Sequence, residues 1–354
     1  MLTQQDASSA PAQLKNNMRK LASIQIVNSI KPIPNADAIE CVGVLGWECV
    51  SKKGEFKVGD KCVYFEIDSL LPETETFEFL RKNCYRKDLK KFRLKTAKLR
   101  GQLSQGLALP LSLFPDLYHL EACADVTDLL NVEKYEPPIP AQISGDAKSF
   151  SWPIAKTDEV RVQTDEGLNL LGALHGKPYY LSLKLDGTSC SFIIDPSNKE
   201  FHVCGRNYSY KNKPNHSFWT INERYQVEER LRSIGENLAL QGECVGPGIQ
   251  QNKLGLPNID YYIFNVVDTS TRKRLSLEDS LSVVKELKMN FVPILEKGDS
   301  FKYNMEQLLE KAKGKYREHF ENAKQHQERE GIVIRSLCGS VSFKAINNEF
   351  LLQE

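Results

Sequence analysis

The sequence lacks several features that mark common classes of protein. Its 354 residues contain no run of about 18 apolar residues, so no transmembrane helix is expected. The nine cysteines form no C-x-x-C pair, which argues against a zinc site and against a disulfide framework. Residues 1–17 are polar and lack the apolar core of a secretory signal. We therefore expect reduced cysteines and a location in the cytoplasm or the nucleus.

The small net charge of +1 conceals one strongly basic segment, residues 81–100. Its ten lysines and arginines accompany a single acid, Asp88, and the aromatic residues Tyr85 and Phe92. Cations contact phosphates and aromatic rings stack on bases, so this composition predicts nucleic-acid binding. A solvated loop that is basic by chance is the alternative. The predicted contacts are Arg81, Arg86, Lys87, Lys90, Lys91, Arg93, Lys95, Lys98 and Arg100.

The length of the chain predicts two domains. Residues 1–17 are expected to form a disordered lead. Residues 18–135 contain short strand-like runs with a turn about every 8–12 residues, which is typical of a small β-barrel. Residues 136–156 are rich in proline and are expected to be a linker. Residues 157–354 mix strands and helices without strict alternation, which predicts an α+β domain.

Three helices are expected in the second domain. Ser276 is a predicted N-cap, because its hydroxyl can accept a hydrogen bond from the first turn of the helix that follows it. In the third helix Tyr316 falls on an apolar stripe at helical spacing, and this position predicts a role in core packing. The predicted helices are residues 221–234, 277–287 and 305–328.

The segment Lys184-Leu185-Asp186-Gly187-Thr188-Ser189 is the strongest candidate for a reactive site. It follows residues 177–183, whose alternating and aromatic residues predict a strand. Residues two apart share a face of a strand, so Lys184 and Asp186 can address one ligand. This spacing suits a nucleophilic lysine beside a metal-linked carboxylate, and Gly187 permits close backbone approach. A surface hairpin turn with a solvated lysine is the alternative.

This segment resembles the nucleotidyl-lysine motif of the covalent nucleotidyltransferases, which comprise ATP-dependent ligases and GTP-dependent capping enzymes. Further segments resemble the other motifs of that superfamily in their fixed order. Two positions depart from the pattern, because Asn265 stands where many relatives have aspartate and Ser342 where several have lysine. The matching segments are Cys204-Gly205-Arg206-Asn207, Leu240-Gln241-Gly242-Glu243-Cys244, Tyr261-Tyr262-Ile263-Phe264-Asn265, Asn290-Phe291-Val292-Pro293, Glu330-Gly331-Ile332-Val333-Ile334-Arg335 and Ser342-Phe343-Lys344.

The resemblance implies a role for each matched residue. Lys184 would attack the α-phosphorus of ATP, and Lys344 would contact the α-phosphate. Asp186, Glu243 and Glu330 would hold Mg²⁺ or Mn²⁺ through water molecules, an outer-shell role. The remaining expected ATP contacts are Gly187, Arg206 at the ribose or a phosphate, Phe264 and either Ile332 or Val333 at the purine, and Lys156 and Arg161 at the triphosphate or pyrophosphate.

The order of the domains narrows the resemblance. Only ten residues follow Lys344, so no OB domain is expected there, and the predicted barrel precedes the catalytic domain instead. This order resembles the nick-sealing RNA ligases of the Naegleria type. The implied fold is α+β, with an N-terminal OB-type β-barrel followed by an adenylyltransferase domain of antiparallel sheets flanked by helices.

The implied activity is ATP-dependent joining of RNA 3′-hydroxyl and 5′-phosphate ends, with nicks in duplexes as the expected substrate and a monomer as the expected state. The reaction would pass through a covalent lysyl-AMP and an AMP-capped 5′ end. Three alternatives remain at this point: an ATP-dependent DNA ligase, a GTP-dependent capping enzyme, and a nucleic-acid-binding scaffold whose transferase domain is inactive.

Overall fold

The computed structural model describes residues 19–136, 147–149 and 153–353, with backbone alone for 147–149. The predicted lead and most of the predicted linker lie outside these residues. No helix in the described ranges is long and apolar enough to cross a membrane.

The N-terminal part of the chain consists of short antiparallel strands. Five of them form a sheet in the order β10-β4-β1-β2-β3, and four form a second sheet in the order β11-β5-β7-β6. The elements are β1 (Ala22–Pro32), β2 (Ile39–Val44), β3 (Trp47–Lys52), β4 (Lys61–Phe65), β5 (Ser69–Pro72), α1 (Arg81–Cys84), β6 (Tyr85–Arg86), β7 (Lys91–Arg93), β8 (Ala97–Leu99), β9 (Gln102–Ser104), β10 (Leu107–Pro110) and β11 (Glu133–Lys134).

The five-stranded sheet has apolar residues on both of its faces. One face packs with Phe65, Phe77 and Phe92, and the other packs around Trp47 and Tyr64. The edges of β3 and β10 approach each other, so the sheet curls towards closure. The predicted N-terminal β-barrel is confirmed as this curled half-barrel.

The C-terminal part combines two further sheets with six helices. An eight-stranded sheet contains β12, β16, β15, β14, β17, β18 and β19 in that order, with β20 paired to β18, and a four-stranded sheet has the order β21-β13-β22-β23. These elements are β12 (Ala147–Ser149), α2 (Asp165–Leu174), β13 (Tyr179–Lys184), β14 (Thr188–Ile194), β15 (Phe201–Cys204), β16 (Tyr208–Tyr210), α3 (Ser217–Tyr225), α4 (Val227–Ile234), β17 (Leu238–Val245), β18 (Asp260–Asp268), β19 (Lys273–Arg274), α5 (Leu277–Glu286), β20 (Asn290–Phe291), β21 (Ile294–Gly298), α6 (Met305–Ala312), β22 (Gly331–Ser336), β23 (Ser342–Ile346) and α7 (Asn348–Gln353).

The chain passes from one C-terminal sheet to the other directly after Lys184. Strand β13 ends at Lys184 in the four-stranded sheet, and β14 begins at Thr188 in the eight-stranded sheet. The candidate motif is therefore the connection between the two sheets. All pairings along these sheets are antiparallel except that of β18 with β20. The predicted α+β class is confirmed.

The helices differ from the prediction in two places. The expected helix over residues 221–234 is two helices, because Gln226 adopts a left-handed conformation with φ 51° and ψ 46° between α3 and α4. The expected helix over residues 305–328 ends at Ala312, where Lys313 is extended and Gly314 has φ 135°. The predicted N-cap is confirmed, since the Ser276 hydroxyl accepts a hydrogen bond from the Asp279 amide at 3.1 Å.

The half-barrel contacts the C-terminal part beside the candidate site. The Gly46 amide donates to the Gln163 carbonyl at 3.1 Å, and the Gln163 amide side chain lies 3.3 Å from that of Gln105. The Arg161 guanidinium forms an ion pair with Asp68 at 3.2 Å. Residues on either side of Arg161 also bond to the backbone of β23, so this segment links the half-barrel to the sheet that carries Lys344.

Two glycines of helix α2 give a test of this packing. A methyl group at Gly167 would overlap the backbone of Arg161 and Val162, whereas one at Gly172 would meet open space. We expect Gly167→Ala to lower the free energy of unfolding by about 2 kcal/mol through overpacking. Gly172→Ala should be neutral or stabilising by up to about 1 kcal/mol, because alanine favours the helix. Urea unfolding of the two variants measures the difference, and equal stabilities would contradict this packing.

Candidate active site

Lys184 lies at the end of β13 and points its amine at a carboxylate. Its Nζ is 2.8 Å from both carboxylate oxygens of Glu330, the residue that precedes β22. Strands β13 and β22 are neighbours, and Lys184 opposite Gly331 is the last pair of their ladder. The pairing of these two strands therefore brings together two residues that are 146 positions apart in the sequence.

Asp186 and Glu243 complete a group of three carboxylates around the Lys184 amine. Glu243 lies on β17 opposite Ser189, so the eight-stranded sheet contributes it. Gly187 allows this approach, since a side chain there would collide with the Cys244 carbonyl and lie 2.8 Å from Glu243 Cγ. The Asp186 carboxylate contacts the Lys253 ammonium at 2.5 Å.

The closeness of the three carboxylates changes the pKa values of Glu243, Asp186 and Lys184. Burial raises the pKa of Glu243 to about 8, and the nearby Glu330 and Asp186 add to the effect against the opposing charge of Lys184. Burial and Glu330 likewise raise the pKa of Asp186 to about 6, although Lys253 opposes them. Burial alone would lower the pKa of Lys184, but the carboxylates outweigh it and the net pKa is raised.

Lys344 lies on β23, the neighbour of β22, on the same face of the four-stranded sheet as Lys184. We refer to the space beside this face, between the two C-terminal sheets, as the cleft. It is paired with Val333, and its backbone forms two hydrogen bonds of 2.8 Å with residues 160 and 162. Burial lowers the pKa of Lys344 to about 7, and the charges of Lys184 and Arg161 act in the same direction. The site thus contains one lysine held in its charged form and a second lysine that loses its proton readily.

Phe264 reaches the cleft from the opposite sheet through a β-bulge. The register of β17 and β18 shifts between Gln241 and Gly242, which leaves Phe264 without a directly paired residue. Bulges of this kind re-aim side chains. The Phe264 ring lies 5.8 Å from the guanidinium carbon of Arg335, a fully buried residue of β22.

Ile332 and Val333, the two residues expected beneath a purine, lie on opposite faces of β22. Side chains alternate between the faces of a strand, and Ile332 packs in the core with Phe343 and Leu308, on the face away from Lys184. Val333 lies on the other face, opposite both Ser182 of β13 and Lys344 of β23. Of the two residues, only Val333 is placed to contact a ligand beside Lys184.

Arg206 and Lys156 lie together at the rim of the cleft. The Arg206 guanidinium forms an ion pair with Asp158 at 2.6 Å, and the Lys156 ammonium donates to the Asn207 side chain at 3.0 Å. Thr157 connects this rim to the motif, since its hydroxyl lies 2.8 Å from that of Ser189. A phosphate could recruit both cations only by competing with these partners.

Arg161 is adjacent to Lys344 but is engaged at the domain boundary. Its ion pair with Asp68 leaves the guanidinium mostly buried, and its carbon lies 6.0 Å from the Trp47 ring centre. Contact with a triphosphate would require Arg161 to leave Asp68.

Several cations of the basic segment of the half-barrel have partners within the protein. Arg81 pairs with Glu73 and Glu78, and Arg86 pairs with Asp88. Lys91 pairs with Glu133, while Arg93 lies 3.5 Å above the Tyr135 ring. Besides Arg81, the exposed side chains of the predicted set are Lys87 and Lys90 at the β6–β7 turn and Lys95, Lys98 and Arg100 in or beside the β8–β9 hairpin.

The carboxylates fit a divalent cation held through water. Within the described residues, no group of three His, Cys, Asp or Glu side chains is arranged to ligate a metal ion directly. The charge of Glu330 nevertheless helps to raise the pKa of Asp186 and of Glu243, which means that a cation among these carboxylates would be stabilised. Hard oxygen donors and retained waters suit Mg²⁺ and also Mn²⁺.

Comparisons with known proteins agree with this arrangement of domains. A family model described as an OB-fold domain matches residues 21–111, and one described as RNA ligase matches residues 177–346. The search of curated proteins finds no match. An aspartate-to-alanine mutant of Naegleria gruberi RNA ligase, solved apo, is 37% identical with a TM-score of 0.87, over 95% of this chain and 98% of that chain. The chain belongs to the RNA ligase family.

Two further structures of that enzyme are equally similar. A lysine-to-alanine mutant of Naegleria gruberi RNA ligase with ATP and Mn is 37% identical with a TM-score of 0.87, and it covers 95% of this chain and 99% of that chain. The same enzyme with pyrophosphate is 38% identical with a TM-score of 0.86 over the same shares. The prediction of an RNA ligase of the Naegleria type with an N-terminal OB domain is confirmed.

Two residues of the candidate site are not indicated by any sequence motif. Lys253 belongs to no motif, and it reaches Asp186 because Gln250, Gln251 and Asn252 all have positive φ and turn the chain back. Tyr316 was assigned to core packing, yet its hydroxyl bonds to the backbone of the site. The run of polar residues before Lys253 was the one available signal of a tight turn.

The lowered pKa of Lys344 predicts a pH-dependent effect on stability. Between the folded value of about 7 and the unfolded value of 10.5, the unfolded chain binds more protons, so wild type gains stability as the pH rises through this range. We expect Lys344→Met to raise the melting temperature near pH 7 by about 2–4 °C. The gain should shrink towards pH 10.5.

Thermal unfolding at a series of pH values measures this difference. Lys297→Met is the matched control, because Lys297 is an exposed lysine on β21 of the same sheet. The difference in melting temperature between Lys297→Met and wild type should not vary with pH. A Lys344→Met difference that is equally flat would contradict a desolvated Lys344.

Proposed function

We propose that the chain is an ATP-dependent RNA ligase that seals 3′-hydroxyl and 5′-phosphate ends, with nicks in duplexes as its substrate, through a covalent lysyl-AMP. The observation that carries this proposal is the placement of Lys184 among three carboxylates, facing a cleft that Lys344 also enters. An amine nucleophile, a site for a cation and a second cation are the groups that transfer of an adenylyl group needs.

In the first step, the Lys184 amine attacks the α-phosphorus of ATP. A P–N bond forms, the bond to the bridging oxygen breaks, and pyrophosphate leaves. Lys184 must first lose its proton, and the carboxylates that raise its pKa oppose this loss. Neutralisation of those carboxylates removes the opposition, because the charge that favours the ammonium is then cancelled.

A Mg²⁺ or Mn²⁺ ion, when bound, would supply that neutralising charge and Lewis acidity towards the α-phosphate. Asp186, Glu243 and Glu330 would hold its water molecules. Lys344 would bind the α-phosphate, since its ammonium form becomes favoured beside an anion even though burial lowers its pKa. The relatives solved with ATP and Mn and with AMP and Mn support this pairing of nucleotide and metal.

The base and the rest of the nucleotide would lie in the cleft between the two C-terminal sheets. Phe264 would stack on the purine from one side, and Val333 replaces Ile332 as the proposed contact on the other. Gly187 gives the close backbone approach, and Arg206 would bind the ribose or a phosphate. Lys156 and Arg161 would reach the triphosphate or the leaving pyrophosphate after leaving Asn207 and Asp68.

In the second and third steps the adenylyl group activates the RNA. The 5′-phosphate oxygen attacks the phosphorus of lysyl-AMP, which frees Lys184 and gives an AMP-capped 5′ end. The 3′-hydroxyl oxygen then attacks the capped phosphate, and AMP leaves as the phosphodiester forms. Lys344 and Arg206 would stabilise the negative charge that develops on the phosphate oxygens.

The half-barrel would hold the RNA beside this cleft. The exposed Lys87, Lys90, Lys95, Lys98 and Arg100 would bind phosphates, and Arg81, Arg86, Lys91 and Arg93 would exchange the protein partners described above for RNA. We propose the boundaries 18–135 for this domain and 157–354 for the catalytic domain.

One chain supplies every site residue, which supports a monomer. The nine unpaired cysteines support a cytoplasmic or nuclear location.

Strand joining with and without Lys184 tests this mechanism. We expect Lys184→Ala to abolish sealing of a 5′-phosphate nick, because no lysyl-AMP forms. The same variant should still seal an RNA whose 5′ end already carries AMP, since the last step does not use the lysine as a nucleophile. Gel analysis of labelled strands measures both. Sealing of the 5′-phosphate nick by Lys184→Ala at the wild-type rate would contradict the proposal.

The same assay separates RNA joining from DNA joining. We expect a deoxyribose at the 3′-hydroxyl end to slow sealing relative to ribose in an otherwise identical nick. Equal or faster sealing of the all-DNA nick would favour the DNA ligase alternative.

A further inference from the structure

The hydroxyl of Tyr316 bonds to three backbone groups of the candidate site. It accepts a hydrogen bond from the Asp186 amide at 2.8 Å and another from the Glu330 amide at 3.2 Å. It donates to the Lys184 carbonyl at 3.1 Å. A phenolic oxygen offers one proton and two lone pairs, so these contacts use its full capacity.

These contacts begin where the strand pairing ends. The ladder between β13 and β22 stops at Lys184 opposite Gly331. The groups that Tyr316 binds, the Lys184 carbonyl and the amides of Asp186 and Glu330, belong to the residues at and just beyond this point. The hydroxyl therefore bridges two segments of the chain, the end of β13 and the residue before β22, where the reactive side chains lie.

The hydroxyl is enclosed by the core. Tyr316 is fully buried among Leu183, Leu185 and Phe320, with its ring centre 6.4 Å from that of Phe320.

A separate contact fixes the other side of Glu330. The Asn347 amide donates to the Glu330 carbonyl at 2.9 Å, and Asn347 is fully buried. With its amide bonded to Tyr316 and its carbonyl bonded to Asn347, the backbone of Glu330 is held at both ends. The position of its carboxylate relative to Lys184 then depends on the bond from Tyr316.

We propose that Tyr316 is a positioning residue for adenylyl transfer, which sets Lys184 against the carboxylates of Asp186 and Glu330 without touching the substrate; this inference rests on the proposed lysyl-AMP chemistry. A displacement of about 1 Å in such a group of residues lowers rates by orders of magnitude. The loss of one hydroxyl should therefore affect the chemical step more than the binding of ATP.

Tyr316→Phe tests the inference, with Tyr64→Phe as the matched control. Tyr64 is also fully buried, and its hydroxyl donates to a backbone carbonyl, that of Gln105, at 2.7 Å in the half-barrel. Both variants lose one buried hydroxyl, which makes three hydrogen bonds in Tyr316 and one in Tyr64. We expect the single-turnover rate of labelling by α-labelled ATP to fall about 10- to 100-fold in Tyr316→Phe. The KM for ATP should change by less than about threefold.

Tyr64→Phe should label within about twofold of wild type, although its melting temperature falls as well. A folded Tyr316→Phe protein that labels like Tyr64→Phe would overturn the positioning role. Wild-type labelling is the test of the proposed function itself. If wild type is not labelled, the chemistry fails and Tyr316 has nothing to position.

Hydrogen exchange of the wild-type chain keeps the inference testable if Tyr316→Phe does not fold. We expect the amides of Asp186 and Glu330 to exchange as slowly as the amides of β13 and β22, because Tyr316 accepts from both. Rapid exchange at these two amides, as in exposed loops, would overturn the inference.

Discussion

The contact between Lys184 and Glu330 is the interaction on which the rest of the site depends. It places an amine in a group of carboxylates that raises the pKa of the amine, so the unliganded protein holds its nucleophile in the inactive, protonated form. Glu330 also raises the pKa of Asp186 and of Glu243, whose charged forms burial already disfavours. The site is therefore arranged to gain free energy from a cation, and release of the Lys184 proton follows from the same neutralisation.

The fold creates this contact by joining two sheets at one short connection. Lys184 and Glu330 come from neighbouring strands of the four-stranded sheet, and Glu243 comes from the eight-stranded sheet that begins after Gly187. Gly187 permits close packing of the connection against β17. The Tyr316 hydroxyl accepts hydrogen bonds both from the backbone of the connection, at Asp186, and from that of Glu330, the residue before β22. Both residues act on geometry rather than on charge.

Much of this arrangement was predictable because it depends on local sequence. The order of the motifs, the half-barrel and the cap at Ser276 follow from short patterns of residues. The end of helix α6 was missed although Gly314 is a local stop signal, and the guanidinium of Arg329, from a distant part of the chain, also binds the carbonyls of Lys311 and Ala312. The apparent helical stripe through Tyr316 concealed a residue that serves the site.

Other errors have the same origin in tertiary structure. The face on which Ile332 lies is decided by the packing of β22 on Leu308 and Phe343, and a run of three apolar residues gives no alternation from which to choose that face. The contact of Lys253 with Asp186 depends on three successive left-handed residues. The pairing of Arg161 with Asp68 joins two domains whose relative placement no local pattern encodes.

The central claim is that Lys184 accepts the adenylyl group of ATP. The most direct measurement is incubation with α-labelled ATP and Mg²⁺ or Mn²⁺, followed by a denaturing gel and by mass spectrometry of the labelled peptide. We predict a covalent label on the intact chain, mapped to Lys184, which GTP does not supply. Absence of label with either metal, or a label on another residue, would contradict the account.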